Sequence, residues 1–163
     1  MIMAKADGIP PAPPLLLASA ETRRELTLQA ETYVARALVS LNRAKALVVA
    51  DRSDCIELLA ARRITFAAHL QNYQRFKHSN IFDPVMLFGL SSSKVVARSM
   101  KVECLALGEE FTAYHTRWLG LHASEWQRYC RDMLATADNL SVHLDAELRA
   151  MRQLIMISDF QQR

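Results

Sequence analysis

Apolar residues recur every three or four positions along four long stretches of this chain, with charged and polar residues between them. This spacing places the apolar side chains along one face of a helix, so it predicts four amphipathic helices. We expect these helices at residues 21–50, 54–78, 92–118 and 124–157. Between the second and the third, Asp83-Pro84 is typical of an N-cap followed by proline at the first helical position, which predicts a short additional helix.

The links between the predicted helices are short and polar. Ser53 is predicted to cap the second helix, and Ser124-Glu125-Trp126-Gln127 matches a capping box that begins the fourth. Links this short place consecutive helices antiparallel. The predicted fold is therefore all-α, an antiparallel up-down-up-down four-helix bundle formed by residues 20–163. Residues 1–19 contain four of the five prolines and are predicted to form a flexible Pro-rich arm.

Composition and charge support this fold and narrow the function. Only four of the 163 residues are glycine, which favours helices over turn-rich folds. The net charge of +3 is spread along the chain without a run of five like charges, so nucleic-acid binding has no support. No apolar run approaches the roughly 20 residues that span a bilayer, so no membrane association is expected. Three cysteines without a Cys-x-x-Cys pair favour a reducing cytoplasm.

Two similar blocks, Phe66–Tyr73 and Leu140–Glu147, lie well inside the second and fourth predicted helices. Each block begins with an apolar residue, has histidine then leucine at its fourth and fifth positions, and ends with tyrosine or glutamate four residues after the histidine. Heptad positions place Tyr73 and Glu147 in the core column and His69 and His143 beside it. The pattern therefore predicts polar, titratable groups on helix faces that are buried.

The helical rise of about 1.5 Å per residue puts Tyr33 of the first helix and Glu103 of the third at the same height as the two histidines. The sequence thus predicts one buried polar layer, made of Tyr33, His69, Tyr73, Glu103, His143 and Glu147. A carboxylate in such a layer must be paired, protonated or bound to a metal, because an isolated buried charge is costly. If the layer holds a metal, its expected ligands are His69, Glu103, His143 and Glu147.

A histidine followed four residues later by glutamate, in a four-helix bundle with a second block of the same kind, resembles the hemerythrin-like family. His143 and Glu147 are similar to that family's His-x-x-x-Glu ligand helix. His69 and Tyr73 look like the same block with tyrosine in place of glutamate. The resemblance covers residues 21–157 and implies a di-iron centre, held by histidines and carboxylates, that binds or senses oxygen.

This chain departs from the hemerythrin-like pattern in three ways. No histidine precedes His69, Tyr73 stands where a bridging carboxylate is expected, and the third helix has only His115 near its end. The expected function is therefore a non-catalytic binding or regulatory module that lacks a complete di-iron centre and has no cofactor. The alternative is a metal-binding or oxygen-sensing protein that holds iron or another divalent metal.

A second alternative is a phosphotransfer or protein-interaction bundle. Phosphotransfer domains are four-helix bundles that expose a reactive histidine among basic residues, and His78 follows Arg75 and Lys77. Those domains carry Lys-Gly shortly after the histidine and this chain does not, so His78 is interpreted as part of a solvated helix end. Arg62-Arg63 is likewise interpreted as a solvated face. An unidentified protein partner, or self-association, is the interaction that the sequence leaves open.

Overall fold

The structure, a computed structural model, describes residues 19–161, with side chains described as far as Ser158. It contains four long helices and one short one. These are α1 (Ala20–Val49), α2 (Ile56–Lys77), α3 (Asp83–Phe88), α4 (Ser91–Arg117) and α5 (Trp126–Gln161). No β-strand occurs between residues 19 and 161, so the all-α prediction is confirmed for that part of the chain. The predicted arm, residues 1–19, lies outside the described residues except for Ser19, whose hydroxyl oxygen caps α1 by accepting from the Thr22 N–H.

Helix α1 packs against both α2 and α5, and α4 packs against α3 and α5. Two ion pairs join α1 to α5, Lys45 to Asp138 at 2.7 Å and Glu31 to Arg152 at 2.7 Å. Residue numbers rise along one helix as they fall along the other, so these two helices are antiparallel. Across residues 19–161, no helix combines the length and the apolar composition that crossing a membrane requires.

The starts of α2 and α5 differ from the predicted caps. Short 3₁₀ turns, Ser53–Cys55 and Ala123–Glu125, precede the two helices, and Ser53 and Ser124 lie exposed within these turns. Cys55 rather than Ser53 occupies the N-cap of α2 and makes no side-chain cap bond. The prediction of side-chain caps here is wrong, because 3₁₀ backbone bonds already satisfy some N–H groups that caps would serve. Cys55 N–H donates to Arg52 O and Glu125 N–H to His122 O, both at 2.9 Å.

Helix α2 ends at Lys77, one residue before the predicted end at residue 78, but the helical path does not break there. The chain continues through a π-turn, His78–Phe82, directly into α3, and Asp83 has helical backbone angles rather than those of an N-cap. Pro84 accounts for the wider turn, because proline has no N–H to continue an α-helical ladder. The side-chain amide of Asn80 donates to the carbonyl of Phe76 at 2.9 Å. This continuous helical segment carries Ile81 and Phe82 into the core, where both are fully buried.

Helix α4 buries a different face near its start from the one predicted. The apolar stripe that the sequence predicts for this helix is Val96, Met100, Leu107, Phe111, Tyr114 and Trp118. Val96 is nevertheless 41% exposed, whereas Ser93, Ala97 and Cys104 are buried. Towards its end the prediction holds, and Phe111, Tyr114 and Trp118 are buried. A helix turns about 100° per residue, so a shift of one position moves every neighbouring side chain to another face. This shift determines where Glu103 lies.

Candidate functional site

The centre of the molecule contains a buried ion pair between α2 and α5. Glu147 is completely buried and Lys77 is 4% exposed, and Lys77 Nζ lies 2.6 Å from Glu147 Oε1. Lys77 follows Tyr73 by four residues, so its side chain continues the buried column of α2. Two opposite charges in a low-dielectric interior attract strongly, and each removes the large cost of burying the other alone.

Further groups surround the pair and complete its contacts. His143, one turn before Glu147, donates its Nε2–H to Glu147 Oε2 at 3.2 Å. The Lys77 ammonium also lies 4.3 Å from the centre of the Tyr73 ring, a cation–π contact. Both oxygens of the Glu147 carboxylate are therefore engaged, one by an ammonium and one by an imidazole. The buried thiol of Cys104 also interacts with Lys77 and Glu147. We call Tyr73, Lys77, Cys104, His143 and Glu147 the charged cluster.

Ionisation within the charged cluster follows from burial and from this pairing. Burial by itself raises the pKa of Glu147, but the hydrogen bond from His143 and the charge and hydrogen bond of Lys77 outweigh it, so that the pKa lies below its ordinary value. Burial and the negative charge of Glu147 raise the pKa of Tyr73 far above its usual range. Burial also raises the pKa of the Cys104 thiol. The cluster thus holds one carboxylate, a neutral phenol and a neutral thiol, a set unsuited to nucleophilic chemistry.

The lowered pKa of Glu147 makes stability dependent on acid pH. The unfolded chain binds a proton at this carboxyl near pH 4.5, whereas the folded chain binds it only at lower pH. The stabilisation is therefore complete above pH 4.5 and is lost as the pH falls through the folded-state pKa. Urea unfolding from pH 7 to pH 3 is expected to show a steeper loss of stability below pH 4.5 for the wild type than for Glu147→Gln, which cannot titrate there. Parallel curves would show that Glu147 is not ionised in the folded protein.

Three members of the predicted polar layer come together between α1 and α2. The ring of Tyr33 stacks on Tyr73 with centroids 5.4 Å apart and lies 5.5 Å from the ring of His69. His69 Nε2–H donates to the backbone carbonyl of Tyr33 at 2.9 Å. Tyr33 and His69 are half-buried, whereas Tyr73 is buried. Tyr73 also contacts the ammonium of Lys77, which in turn pairs with Glu147. Lys77, which was not predicted as a member of the layer, therefore links the aromatic group to Glu147.

Glu103 does not belong to the layer, and that part of the prediction is wrong. Its side chain is exposed, and its hydrogen bond is to the hydroxyl of Ser99 on its own helix at 3.4 Å. The cause is the register of α4, in which Cys104 rather than Glu103 occupies the buried face. Cys104 therefore takes the place in the core that the sequence reasoning gave to a carboxylate.

The residues present do not fit a di-iron or other metal centre. Between residues 19 and 161, no three histidine, cysteine, aspartate or glutamate side chains form a group that could hold a metal ion. Of the four proposed ligands, Glu103 is exposed and His69 is bonded to a backbone carbonyl. Glu147 has an ammonium 2.6 Å from one of its oxygens, which repels a cation. The expected set of His69, Glu103, His143 and Glu147 is thus not assembled.

His78 does not form a solvated helix end either. It opens the π-turn, is half-buried, and its ring lies 5.8 Å from that of Phe82. Burial, followed by the positive charges of Lys77 and Lys101, lowers the pKa of His78. A histidine enclosed in this way is a poor match to the exposed, reactive imidazole of a phosphotransfer domain.

A cavity that was not predicted from the sequence lies among α1, α2, α4 and α5. Its volume is about 640 Å³, within the range of about 300–1,000 Å³ that is usual for small-molecule sites. Its inner wall is aliphatic and aromatic, and its outer edge is formed by exposed residues of α1 and α2. The buried residues of the wall are Leu41, Leu59, Arg63, Phe66, Phe111, Tyr114, Tyr129, Met133, Ala137 and Leu140.

Arg63 is the polar residue of this wall, and the sequence reasoning placed it in solvent. Its side chain is only 7% exposed, whereas the neighbouring Arg62 is exposed. The burial of Arg63 could have been predicted from the helical spacing, because Arg63 lies four residues after Leu59 and three before Phe66, both buried. His69 also lines the cavity, so one histidine contacts both the cavity and the aromatic group beside the charged cluster.

The fold and these two features define a helical protein with a mainly apolar cavity and a separate buried charged cluster. Comparisons of the chain with protein-family models, with curated proteins and with solved structures return no match. The function must therefore be inferred from the cavity and the cluster.

Proposed function

We propose that this chain is a non-catalytic binding module whose cavity receives a small, largely apolar molecule. The observation that carries the proposal is the cavity of about 640 Å³ with its aliphatic and aromatic wall. Burying apolar ligand surface there is favourable by about 25 cal/mol per Å². The wall contains neither a carboxylate nor a cysteine, and its histidine, His69, is bonded to the backbone carbonyl of Tyr33, so the usual acid–base pairs and thiols of a catalyst are not assembled there. Binding, rather than turnover, is the activity that this lining supports.

The proposal includes an antiparallel up-down-up-down arrangement and a distant relation to hemerythrin-like bundles. The antiparallel ion pairs between α1 and α5 support the arrangement. The bonded pair of His143 and Glu147, spaced as in the His-x-x-x-Glu block, supports the relation. In this view the Lys77 ammonium takes the place beside the Glu147 carboxylate that a metal cation would have in a hemerythrin-like protein. The bundle then serves regulation or transport in the cytoplasm rather than oxygen chemistry.

Self-association or a protein partner is a second, compatible part of the proposal. Several large apolar side chains are exposed around the corner between α3 and α4, where they are not needed for the core of the described chain. They are Leu87, Phe88, Leu90 and Val95, each between 49% and 68% exposed. Exposed apolar groups that lie close together favour contact with another protein surface.

A cavity-filling substitution tests the binding function. Ala44 lines the cavity, so Ala44→Phe is expected to occupy part of its volume. We expect the affinity for N-phenylnaphthylamine, a neutral apolar dye that fluoresces when it leaves water, to fall by about tenfold, or roughly 1.4 kcal/mol. Titration of the purified protein with the dye, followed by fluorescence, measures this.

The matched control is Ala46→Phe, because Ala46 is an exposed alanine on the same helix and does not line the cavity. That variant is expected to bind the dye as the wild type does. Circular dichroism checks that both variants keep their helices. If the wild type does not bind the dye, or if both variants bind it equally well, the cavity is not a binding site and the proposed function is wrong.

A further inference from the structure

The guanidinium of Arg63 is buried beside the cavity with most of its hydrogen-bonding capacity unused. Nη2 donates to the backbone carbonyl of Trp118 at 2.6 Å. Nε and Nη1 are buried and have no hydrogen-bond partner among the described residues. Since an arginine carries five N–H donors, three of them, on two nitrogens, have no acceptor here. The guanidinium also lies 5.8 Å from the centre of the Tyr129 ring, a contact that offsets only part of the cost of burying the charge.

Buried donors without acceptors are rare in folded proteins and cost about 1–3 kcal/mol each, more when the group is charged. The neighbouring residues do not supply the missing acceptor, because no aspartate or glutamate lines the cavity. Arg63 forms no ion pair with any residue that the structure describes. An anionic group in the cavity would satisfy both the charge and the free donors.

The outer edge of the cavity is positively charged, as Arg63 is. Arg36, Arg43 and Arg62 all line the cavity from α1 and α2, and all are exposed. None is ion-paired within the described chain. Positive charge around a concave apolar site raises the local concentration of anions and speeds their entry. The cavity thus combines an anion-attracting edge, an apolar wall and one buried cation.

We propose that the ligand is an amphipathic carboxylate, with its acid group on Arg63 and its hydrocarbon part against the apolar wall. This proposal rests on the proposed function and names the class of ligand. A monoanion matches the single buried cation, whereas a phosphate monoester carries about −1.5 to −2 charges at neutral pH and would leave excess negative charge inside. The planar guanidinium donates to a carboxylate in two parallel hydrogen bonds, which fixes the orientation of the acid group.

The first experiment uses the wild type alone, so it does not depend on any variant folding. Isothermal titration compares dodecanoate with dodecanol and with methyl dodecanoate, which have the same hydrocarbon chain but no charge. Dodecanoate is expected to bind at least about tenfold more tightly than either neutral compound, because a charge-assisted hydrogen bond contributes more than a neutral one. Equal affinities would overturn the assignment of an anion while leaving the proposed function standing. Absence of binding by all three would contradict both.

The second experiment assigns the acid group to Arg63. Arg63→Met, which keeps an unbranched stem but removes the guanidinium, is expected to lose the preference for dodecanoate while still binding dodecanol. Arg98→Met is the matched control, since Arg98 is exposed on α4 away from the cavity and should change neither affinity. If Arg63→Met retains the preference, or if both variants lose it equally, the assignment to Arg63 is wrong. Arg63→Lys, which keeps the charge, is expected to retain part of the preference for dodecanoate. This variant replaces Arg63→Met in the experiment if Arg63→Met does not fold.

A third titration separates a carboxylate from a phosphate ligand. Dodecyl phosphate has the same chain and a larger negative charge. It is expected to bind more weakly than dodecanoate, because the buried site offers one cation. Tighter binding of dodecyl phosphate that depends on Arg63 would overturn the carboxylate in favour of a phosphate monoester.

Discussion

Replacing Glu147 with leucine is expected to lower the free energy of unfolding by about 3–5 kcal/mol. The substitution leaves the Lys77 ammonium buried above the Tyr73 ring with no carboxylate to neutralise it. Domains of this size are stable by only about 5–15 kcal/mol, so the loss is a large fraction of the total. Replacing Lys77 with methionine in the same protein is expected to restore most of the stability, because two apolar side chains of similar volume then fill the site without a charge.

Urea unfolding followed by circular dichroism, on both single variants and the double variant, gives the coupling between the two residues. The exposed pair Glu31 and Arg152 is the matched control. The corresponding double cycle, with Glu31→Leu and Arg152→Met, is expected to give a coupling below about 1 kcal/mol, because solvent screens exposed pairs. A coupling between Lys77 and Glu147 no larger than that of the control pair would show that the buried pair does not form.

The positions of the four long helices were predictable because each depends on the sequence of one segment at a time. Asp83-Pro84 correctly indicated the short helix α3, but the sequence did not indicate the π-turn at residues 78–82 that joins α2 to it without a break. The register error in α4 has a related cause. Hydrophobicity favoured Val96, but the structure buries the small residues Ser93 and Ala97 and exposes the valine. Small side chains allow helices to approach closely, and a count of apolar residues does not weigh that property.

The candidate site was less predictable from the sequence because charged residues are normally expected to lie in solvent. Lys77 and Arg63 both lie at buried positions of the α2 stripe, in step with Phe66 and Tyr73. Their spacing along the helix indicates that they are buried, but charged side chains are rarely buried unless an oppositely charged partner is known. Glu147 supplies that partner for Lys77 and could have been paired with it from the sequence. The cavity depends on the distances among four helices, and no single helix carries that information.

The second large effect is expected at Trp118, which closes the C-terminal end of α4. Its side chain is 2% exposed, and its indole N–H donates to Asp132 at 2.7 Å. Its ring packs edge-on against Tyr129 with centroids 5.4 Å apart. Trp118→Ala removes all of these contacts and leaves a void, so the free energy of unfolding is expected to fall by about 3–5 kcal/mol. Trp118→Phe keeps much of the ring and loses the indole hydrogen bond, which contributes about 1 kcal/mol.

Urea unfolding measures both Trp118 variants, and Leu119→Ala is the control because the next residue is 63% exposed. The control is expected to change stability by less than about 0.5 kcal/mol. The backbone carbonyl of Trp118 accepts the bond from Arg63, so displacement of this helix end also moves the proposed anion site. We therefore expect Trp118→Ala to weaken dodecanoate binding, whereas Trp118→Phe, which keeps the ring packing, should preserve it. A loss of stability in Trp118→Ala no greater than in Leu119→Ala would contradict the burial of this corner and its role in holding Arg63.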